Sequence, residues 1–130
     1  MRAFSTYTRC RLYIESHYRI LQTLDDISRG CHVDRAYLCR LFKRFDDQRP
    51  YQLLMRLKMN RATELLLQED MMVKEVANDL GFADPYHFSR AFKRFIGVSP
   101  SRFVELGHRG SVRRARTEPL AERPYTPGAV

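Results

Sequence analysis

The sequence predicts an all-α fold in which two short helix pairs, each ending in a basic helix, are joined by one long helix. The first observation is a repeat, since YLCRLFKRF at 37–45 returns as HFSRAFKRF at 87–95, an offset of 87 − 37 = 50 residues. Such a repeat usually means that one supersecondary unit is used twice. The second observation is that apolar residues recur at i, i+3, i+4 and i+7, the period of a helix with one buried face. The third is that each basic segment follows a residue suited to cap a helix, Asp34 or Asp84.

The first helix pair is predicted from its capping residues. Thr23 and Asp26 have the spacing of a capping box, so a helix is expected to begin at position 24. A turn around His32 follows, and Asp34 is the predicted N-cap of the basic helix. The predicted inward residues of this pair are Leu24, Ile27, Cys31, Leu38, Leu41, Phe42 and Phe45.

The second pair has clearer turn signals. Gly81 supplies a positive backbone dihedral in its turn without steric strain. Asp84 and Pro85 then predict a helix start, because proline in the first turn lacks only an N–H that would have no partner there. The predicted inward residues are Val73, Val76, Ala77, Leu80, Phe88, Ala91, Phe92 and Phe95.

A single helix from about Pro50 to Glu69 is predicted to connect the two pairs. Its apolar stripe is interrupted by Arg56, Lys58 and Arg61 and consists of Leu53, Leu54, Leu57, Ala62, Leu65 and Leu66. Such a helix is roughly 30 Å long at 1.5 Å per residue. Successive major grooves on one side of B-DNA lie about 34 Å apart, so this helix suits two groove-reading elements as well as a core strut.

Two short helices with a tight turn between them, the second one basic, form a helix-turn-helix motif. Its exposed face predicts a double-stranded DNA interface, with these candidate contacts: Arg35, Ala36, Cys39, Arg40, Lys43, Tyr86, Ser89, Arg90, Lys93 and Arg94. Arg40 and Arg90 occupy matching positions and suit guanine or phosphate, whereas Lys43 and Lys93 suit the phosphate backbone. Arg94, like Arg44, has the alternative of covering the core with its stem.

Several separated segments resemble the DNA-binding domain of AraC/XylS-type bacterial transcriptional regulators. The strongest is EVANDLGFADPYHFSRAFKRFIGVSPSRF at 75–103, and LYIESHY, LDDIS, LCRLFKRF and PYQLLMRLKMNRATELLL match in the right order. The resemblance covers roughly residues 8–106 and implies a seven-helix domain. We assign this domain to 1–106, with helix-turn-helix motifs at about 24–45 and 73–95. The resemblance also implies two recognition helices in consecutive major grooves and a transcriptional regulator, most often an activator that touches RNA polymerase.

The first half departs from the family pattern at three positions. His32 stands where the family usually has a glycine in the first turn, and Asp47 where a glycine commonly ends the recognition helix. Arg49 precedes Pro50, whereas the cap-like Ser99 precedes Pro100. We therefore expect the first half to be less rigid than the second, or set at a slightly different angle.

Composition and charge are consistent with a polyanion as the partner. The net charge is +8, and 107–130 holds five arginines and two glutamates, which leaves about +5 on the domain. This basic, proline-containing tail is predicted to be disordered. No stretch reaches the ~20 apolar residues of a membrane span, so we expect a cytoplasmic protein. No cofactor, metal or small-molecule ligand is predicted, and the sequence offers no catalytic arrangement.

Two other functions remain open from the sequence. One is a helical protein-interaction module that binds no DNA, and the other is a thiol-based sensor that uses Cys39 or Cys31. A zinc site is not favoured, because the cysteine and histidine spacing matches no zinc pattern. The sequence has room for no separate sensor domain, so we expect either a stand-alone regulator or a fragment of a longer protein.

Overall fold

The structure is a computed structural model that describes residues 2–109. Within this range there are seven α-helices and no strand, as predicted: α1 (Arg2–His17), α2 (Leu24–Cys31), α3 (Arg35–Phe45), α4 (Pro50–Leu67), α5 (Val73–Asp79), α6 (Pro85–Ile96) and α7 (Pro100–Arg109). The pairs α2–α3 and α5–α6 are the two predicted helix-turn-helix motifs. The linker helix α4 ends two residues before the predicted position 69, and α7 continues three residues past the predicted domain end at 106. The predicted disordered tail began at 107, but residues 107–109 belong to α7, and the rest of the tail lies outside the described residues.

The chain divides into two compact units within α4, between Leu57 and Lys58. In the first unit α1 packs against α2 and α3. Its fully buried side chains are Cys10, Ile14, Ile27, Cys31, Leu38, Phe42, Leu53 and Leu54. The approach of α1 to α2 is close at Gly30, where an added Cβ would lie 2.1 Å from the Tyr13 hydroxyl oxygen. A side chain at position 30 would therefore displace the Tyr13 ring.

A polar cluster joins α1 to the end of α3 in this unit. The Tyr7 hydroxyl donates to Asp46 Oδ2 at 2.6 Å, and Arg11 Nη1 donates to the same oxygen at 2.5 Å. Burial, followed by the hydrogen bond to Asp46, raises the pKa of Tyr7. The other Asp46 oxygen accepts the backbone N–H of Asp47 at 2.8 Å. One carboxylate therefore fastens both the first helix and the loop that leaves the basic helix.

The second unit is built around a row of phenylalanine rings. Phe82 contacts Phe88 at 5.3 Å between ring centroids, Phe88 contacts Phe92 at 5.7 Å, and Phe92 contacts Phe103 on α7 at 5.5 Å. Edge or tilted contacts of this kind stabilise a core by about 0.5–1.5 kcal/mol beyond the area they bury. The row links the turn of the second motif to α6 and α7. Ser99 caps α7 as expected, since its Oγ accepts the N–H of Arg102 at 3.2 Å.

The predicted helix starts are confirmed. The Thr23 Oγ1 accepts the N–H of Asp26 at 3.1 Å, and the Asp26 carboxylate accepts the N–H of Thr23 in return. Asp34 accepts the N–H groups of the first turn of α3, and Asp84 accepts the N–H of His87 at 2.7 Å, with Pro85 as the first residue of α6. The predicted inward residues are buried, apart from Leu24, Phe45, Leu57, Val73, Ala91 and Phe95, which are half-buried.

The turns differ from expectation at two of the positions where glycine is usual. His32 adopts the left-handed conformation itself, with φ 58°, and matches Gly81 with φ 80°. Gly97 at the end of α6 also has a positive φ of 106°, but Asp47, fifty residues earlier, does not. Instead, α3 is followed by Asp46, whose backbone is extended. The Asp46 side chain accepts the N–H of Asp47 and so forms the turn after the helix. Asp47 therefore does not adopt the left-handed conformation that Gly97 has at the end of the second basic helix.

The structural repeat is longer than the sequence repeat and has a second offset. Before each basic helix, equivalent residues are 49 apart: the capping residues Thr23 and Met72, and the left-handed residues His32 and Gly81 (81 − 32 = 49). The basic helices are 50 apart, as Asp34 and Asp84 show. The second turn therefore contains one residue more than the first.

Candidate nucleic-acid interface

Most of the predicted DNA contacts on α3 are exposed to solvent. Arg35, Ala36, Arg40 and Lys43 are exposed, and Cys39 is half-buried. The buried face of α3, with Leu38, Leu41 and Phe42, holds the helix against α1 and α2. The basic side chains are thus kept on a face that the core does not use.

The α6 surface repeats this arrangement. Tyr86, Arg90, Lys93 and Arg94 are exposed, with Tyr86 at 71%, and Ser89 is half-buried. Phe88 and Phe92 fix the opposite face in the core of the second unit. Each unit therefore presents one arginine at the matching position 40 or 90, flanked by small and aromatic side chains.

Both of these arginines lie over a tyrosine ring. The Arg40 guanidinium carbon is 5.5 Å from the centroid of Tyr37, and that of Arg90 is 5.6 Å from the centroid of Tyr86. The tyrosines are not equivalent in the repeat, because one lies three residues before its arginine and the other four. A cation–π contact at an exposed site contributes about 0.5–1 kcal/mol, enough to bias the arginine toward one orientation. Tyr37 was not among the predicted contacts, although its spacing from Arg40 is visible in the sequence.

Arg35 is the predicted contact whose charge is already paired. Its Nη1 donates to Asp25 Oδ1 on α2 at 3.0 Å, and both side chains are more than half exposed. An exposed pair of this kind contributes at most about 1 kcal/mol, so a phosphate can replace the carboxylate. Arg44 covers the edge of the core, which is the alternative that the sequence offered for it. Its guanidinium carbon lies 4.8 Å from the centroid of Phe45.

The cysteines divide into a buried pair and one accessible thiol. Cys10 and Cys31 are completely buried, and their mutual interaction lowers the pKa of Cys10 and raises the pKa of Cys31. Reagents in solution cannot reach Cys31, which weighs against its use as a sensor. Cys39 is the accessible one, on the same helix as Arg40. Among residues 2–109 no cluster of three or more His, Cys, Asp or Glu is placed to hold a metal.

Lys58 is the largest surprise of the linker helix. The sequence places it among the cations that interrupt the apolar stripe, yet it is only 2% exposed. Its ammonium donates to the Leu80 carbonyl oxygen and lies 5.5 Å from the centroid of the Phe82 ring.

No helix in the described part of the chain is both long and apolar enough to cross a membrane.

Comparison with known proteins agrees with this geometry. A family model described as a helix-turn-helix domain matches residues 27–105. The C-terminal domain of AraT, a response regulator from Geobacillus stearothermophilus, has 31% identity and a TM-score of 0.72, with 78% of this chain and 84% of that chain covered. A Chromobacterium violaceum regulator with an AraC-type DNA-binding domain has 26% identity and a TM-score of 0.65 over 78% of this chain and 90% of its own. The chain belongs to the AraC-type helix-turn-helix family, whose members are DNA-binding transcriptional regulators and not a class of enzymes.

A curated relative is similar over a limited part of its length. The raffinose operon transcriptional regulatory protein RafR of Pediococcus pentosaceus is 34% identical over 91 residues, which cover 70% of this chain and 33% of that protein. The chain therefore spans about a third of the length of this relative. The DNA-binding domain of AdpA, solved in complex with a target DNA, shares the fold at a TM-score of 0.68 and 22% identity, over 85% of this chain and 96% of that chain.

Proposed function

We propose that this chain binds double-stranded DNA sequence-specifically and regulates transcription, with α3 and α6 in adjacent major grooves of one site. The observation that carries the proposal is the paired presentation of Arg40 and Arg90, each exposed on a basic helix and each lying over a tyrosine ring. An arginine held in this way suits a bidentate contact to guanine. The other proposed contacts are Arg35, Ala36, Cys39, Lys43, Ser89, Lys93 and Arg94, with Tyr86.

The length of α4 supports one chain reading two grooves. The helix has 18 residues, or about 27 Å at 1.5 Å per residue, close to one turn of B-DNA. A monomer would then cover an asymmetric site with two blocks about one helical turn apart. A dimer with one active motif per chain would select a palindrome instead.

Activation is the favoured direction of regulation. A relative from Staphylococcus xylosus, 25% identical over 91 residues, is named a lactose operon transcription activator, and the family resemblance implies a contact with RNA polymerase. We propose that the chain works in the bacterial cytoplasm, because promoter DNA is found there.

Selection of bound sequences from a random duplex pool, at low and moderate salt, tests the proposal. Recovery of an asymmetric two-block motif is the expected result. Binding should also fall steeply with salt, because phosphate contacts release counterions. Salt-labile binding without any enriched sequence would contradict specific recognition, and binding to a protein partner that is insensitive to salt would favour the interaction-module alternative.

Alanine variants test which basic helix reads which block of the DNA site. Arg40→Ala and Arg90→Ala should each relax preference in one block only, by about 1–3 kcal/mol if the contact is bidentate to guanine. Arg102→Ala is the matched control, because it removes an exposed arginine of α7 that pairs with Glu105. This control should leave base preference unchanged in both blocks. Equal effects of all three substitutions would show that only net charge matters.

A further inference from the structure

The end of the first helix in each motif receives a hydrogen bond from a basic side chain of the preceding helix. In the first unit Arg9 Nη1, on α1, donates to the carbonyl oxygen of Cys31 at 2.7 Å. In the second unit the ammonium of Lys58, on α4, donates to the carbonyl oxygen of Leu80. The last carbonyls of a helix have no partner within it, and a cation is stabilised near this end by the helix dipole.

These two contacts are equivalent in the structural repeat. Arg9 and Lys58 are 49 residues apart, as are their acceptors Cys31 and Leu80, and this is the offset of the two left-handed turn residues. In both units the accepting carbonyl belongs to the residue immediately before the left-handed one. The same device therefore fixes the same point of both turns, although one unit uses arginine and the other lysine.

In the second unit the contact extends to the recognition helix. The Lys58 ammonium lies 5.5 Å from the centroid of Phe82, one residue beyond the left-handed Gly81. The Phe82 ring in turn contacts His87 at 5.6 Å and Phe88 at 5.3 Å, both in the first turn of α6. A buried ammonium is strongly disfavoured unless its hydrogen bonds are satisfied, so Lys58 holds the turn in the conformation that satisfies it.

We propose that Arg9 and Lys58 are positioning residues that set the angle at which α3 and α6 leave their turns, and so contribute to base discrimination without touching DNA. The discrimination part rests on the proposed function. Lys58 is buried at 2% exposure whereas Arg9 is exposed, so the effect is larger in the second motif.

The test uses Lys58→Met and Arg9→Met, which remove the charge and keep an unbranched stem. Arg61→Met is the matched control on α4, since the half-buried Arg61 pairs with the exposed Glu64 at 2.8 Å. The first measurement is the angle between the two helices of each motif, from residual dipolar couplings of the free protein. We expect Lys58→Met to change the α5–α6 angle only, Arg9→Met to change the α2–α3 angle only, and Arg61→Met to change neither.

The second measurement is the ratio of affinities for the selected site and for sites altered in one block. Lys58→Met should reduce discrimination about tenfold in the α6 block, the equivalent of one hydrogen bond to a charged group, and leave the α3 block unchanged. Arg9→Met should do the reverse with a smaller loss. A loss shared equally by both blocks would indicate simple destabilisation and overturn the proposal.

Unchanged helix angles in the folded variants would also overturn it. If Lys58→Met does not fold, the exposed Arg9 provides the test. A wild-type α2–α3 angle in Arg9→Met would then contradict the proposal that these two residues position the basic helices. If the wild-type protein shows no sequence preference, the proposed function fails, and the helix angles still decide whether these residues position the motifs.

Discussion

Replacement of Asp46 by alanine should destabilise the first unit, because it removes a buried carboxylate that joins α1 to the end of α3. The Asp46 side chain is only 6% exposed and accepts hydrogen bonds from Tyr7, Arg11 and the N–H of Asp47. Its loss leaves the Tyr7 hydroxyl, in a residue only 7% exposed, without its acceptor.

The magnitude follows from the contacts that are lost. A hydrogen bond to a charged group contributes about 1.5–3 kcal/mol, and a buried donor left without a partner costs about 1–3 kcal/mol. Arg11 keeps its bond to Glu15 at 3.0 Å and is 30% exposed, so water replaces part of its loss. We therefore expect Asp46→Ala to lower the free energy of unfolding by about 3 kcal/mol, a large share of the ~5–15 kcal/mol of an ordinary domain.

Urea unfolding followed by circular dichroism measures this change, with a double-mutant cycle as the control. Tyr7→Phe should cost about 1.5 kcal/mol, the lower end for a bond to a charged group. The double variant should be less destabilised than the sum by about 1 kcal/mol, because the two residues share one contact. A loss below about 0.5 kcal/mol for Asp46→Ala, the usual range of a surface substitution, would refute the proposed role of this cluster.

Three further outcomes are expected of the folded protein. A thiol reagent should label Cys39 in the native state and reach Cys10 and Cys31 only on unfolding, as intact mass will show, because both are fully buried. His32→Gly should raise the free energy of unfolding by about 0.5–1 kcal/mol in urea titrations, because it relieves a left-handed residue at some entropic cost. The raised pKa of Tyr7 means that its contribution is complete below its unfolded pKa of 10.0 and is lost as pH rises through the folded value. Alkaline unfolding of Tyr7→Phe should accordingly be less steep than that of the wild type above that pH.

The features that sequence predicted well depend on neighbours a few residues apart. The capping box of Thr23 and Asp26 and the start at Asp84 and Pro85 each involve partners within three residues, so spacing alone defines the contact. The exposed faces of α3 and α6 were likewise predictable, because helical periodicity separates the buried phenylalanines from the basic residues.

The features that it missed depend on contacts between distant positions. Tyr7 and Asp46 are 39 residues apart, and Lys58 and Leu80 are 22 apart. Nothing in the local pattern distinguishes a lysine that turns inward to a helix end from one that stays in water. The pairing of Arg35 with Asp25, ten residues earlier, was missed for the same reason, since it joins two helices across a turn.

The two offsets of the repeat bear on how the motifs can read DNA. The segment from the left-handed residue to the N-cap has one residue more in the second motif, from Gly81 to Asp84, than in the first, from His32 to Asp34. An added residue changes both the direction and the starting point of the helix that follows, so α3 and α6 need not leave their turns at the same angle. Arg40 and Arg90 match in sequence, yet under the proposed function each would approach its groove at an angle set by its own turn. The two blocks of the proposed site are therefore expected to differ in sequence. The difference in turn length is also a physical reason for the different angle predicted for the first half.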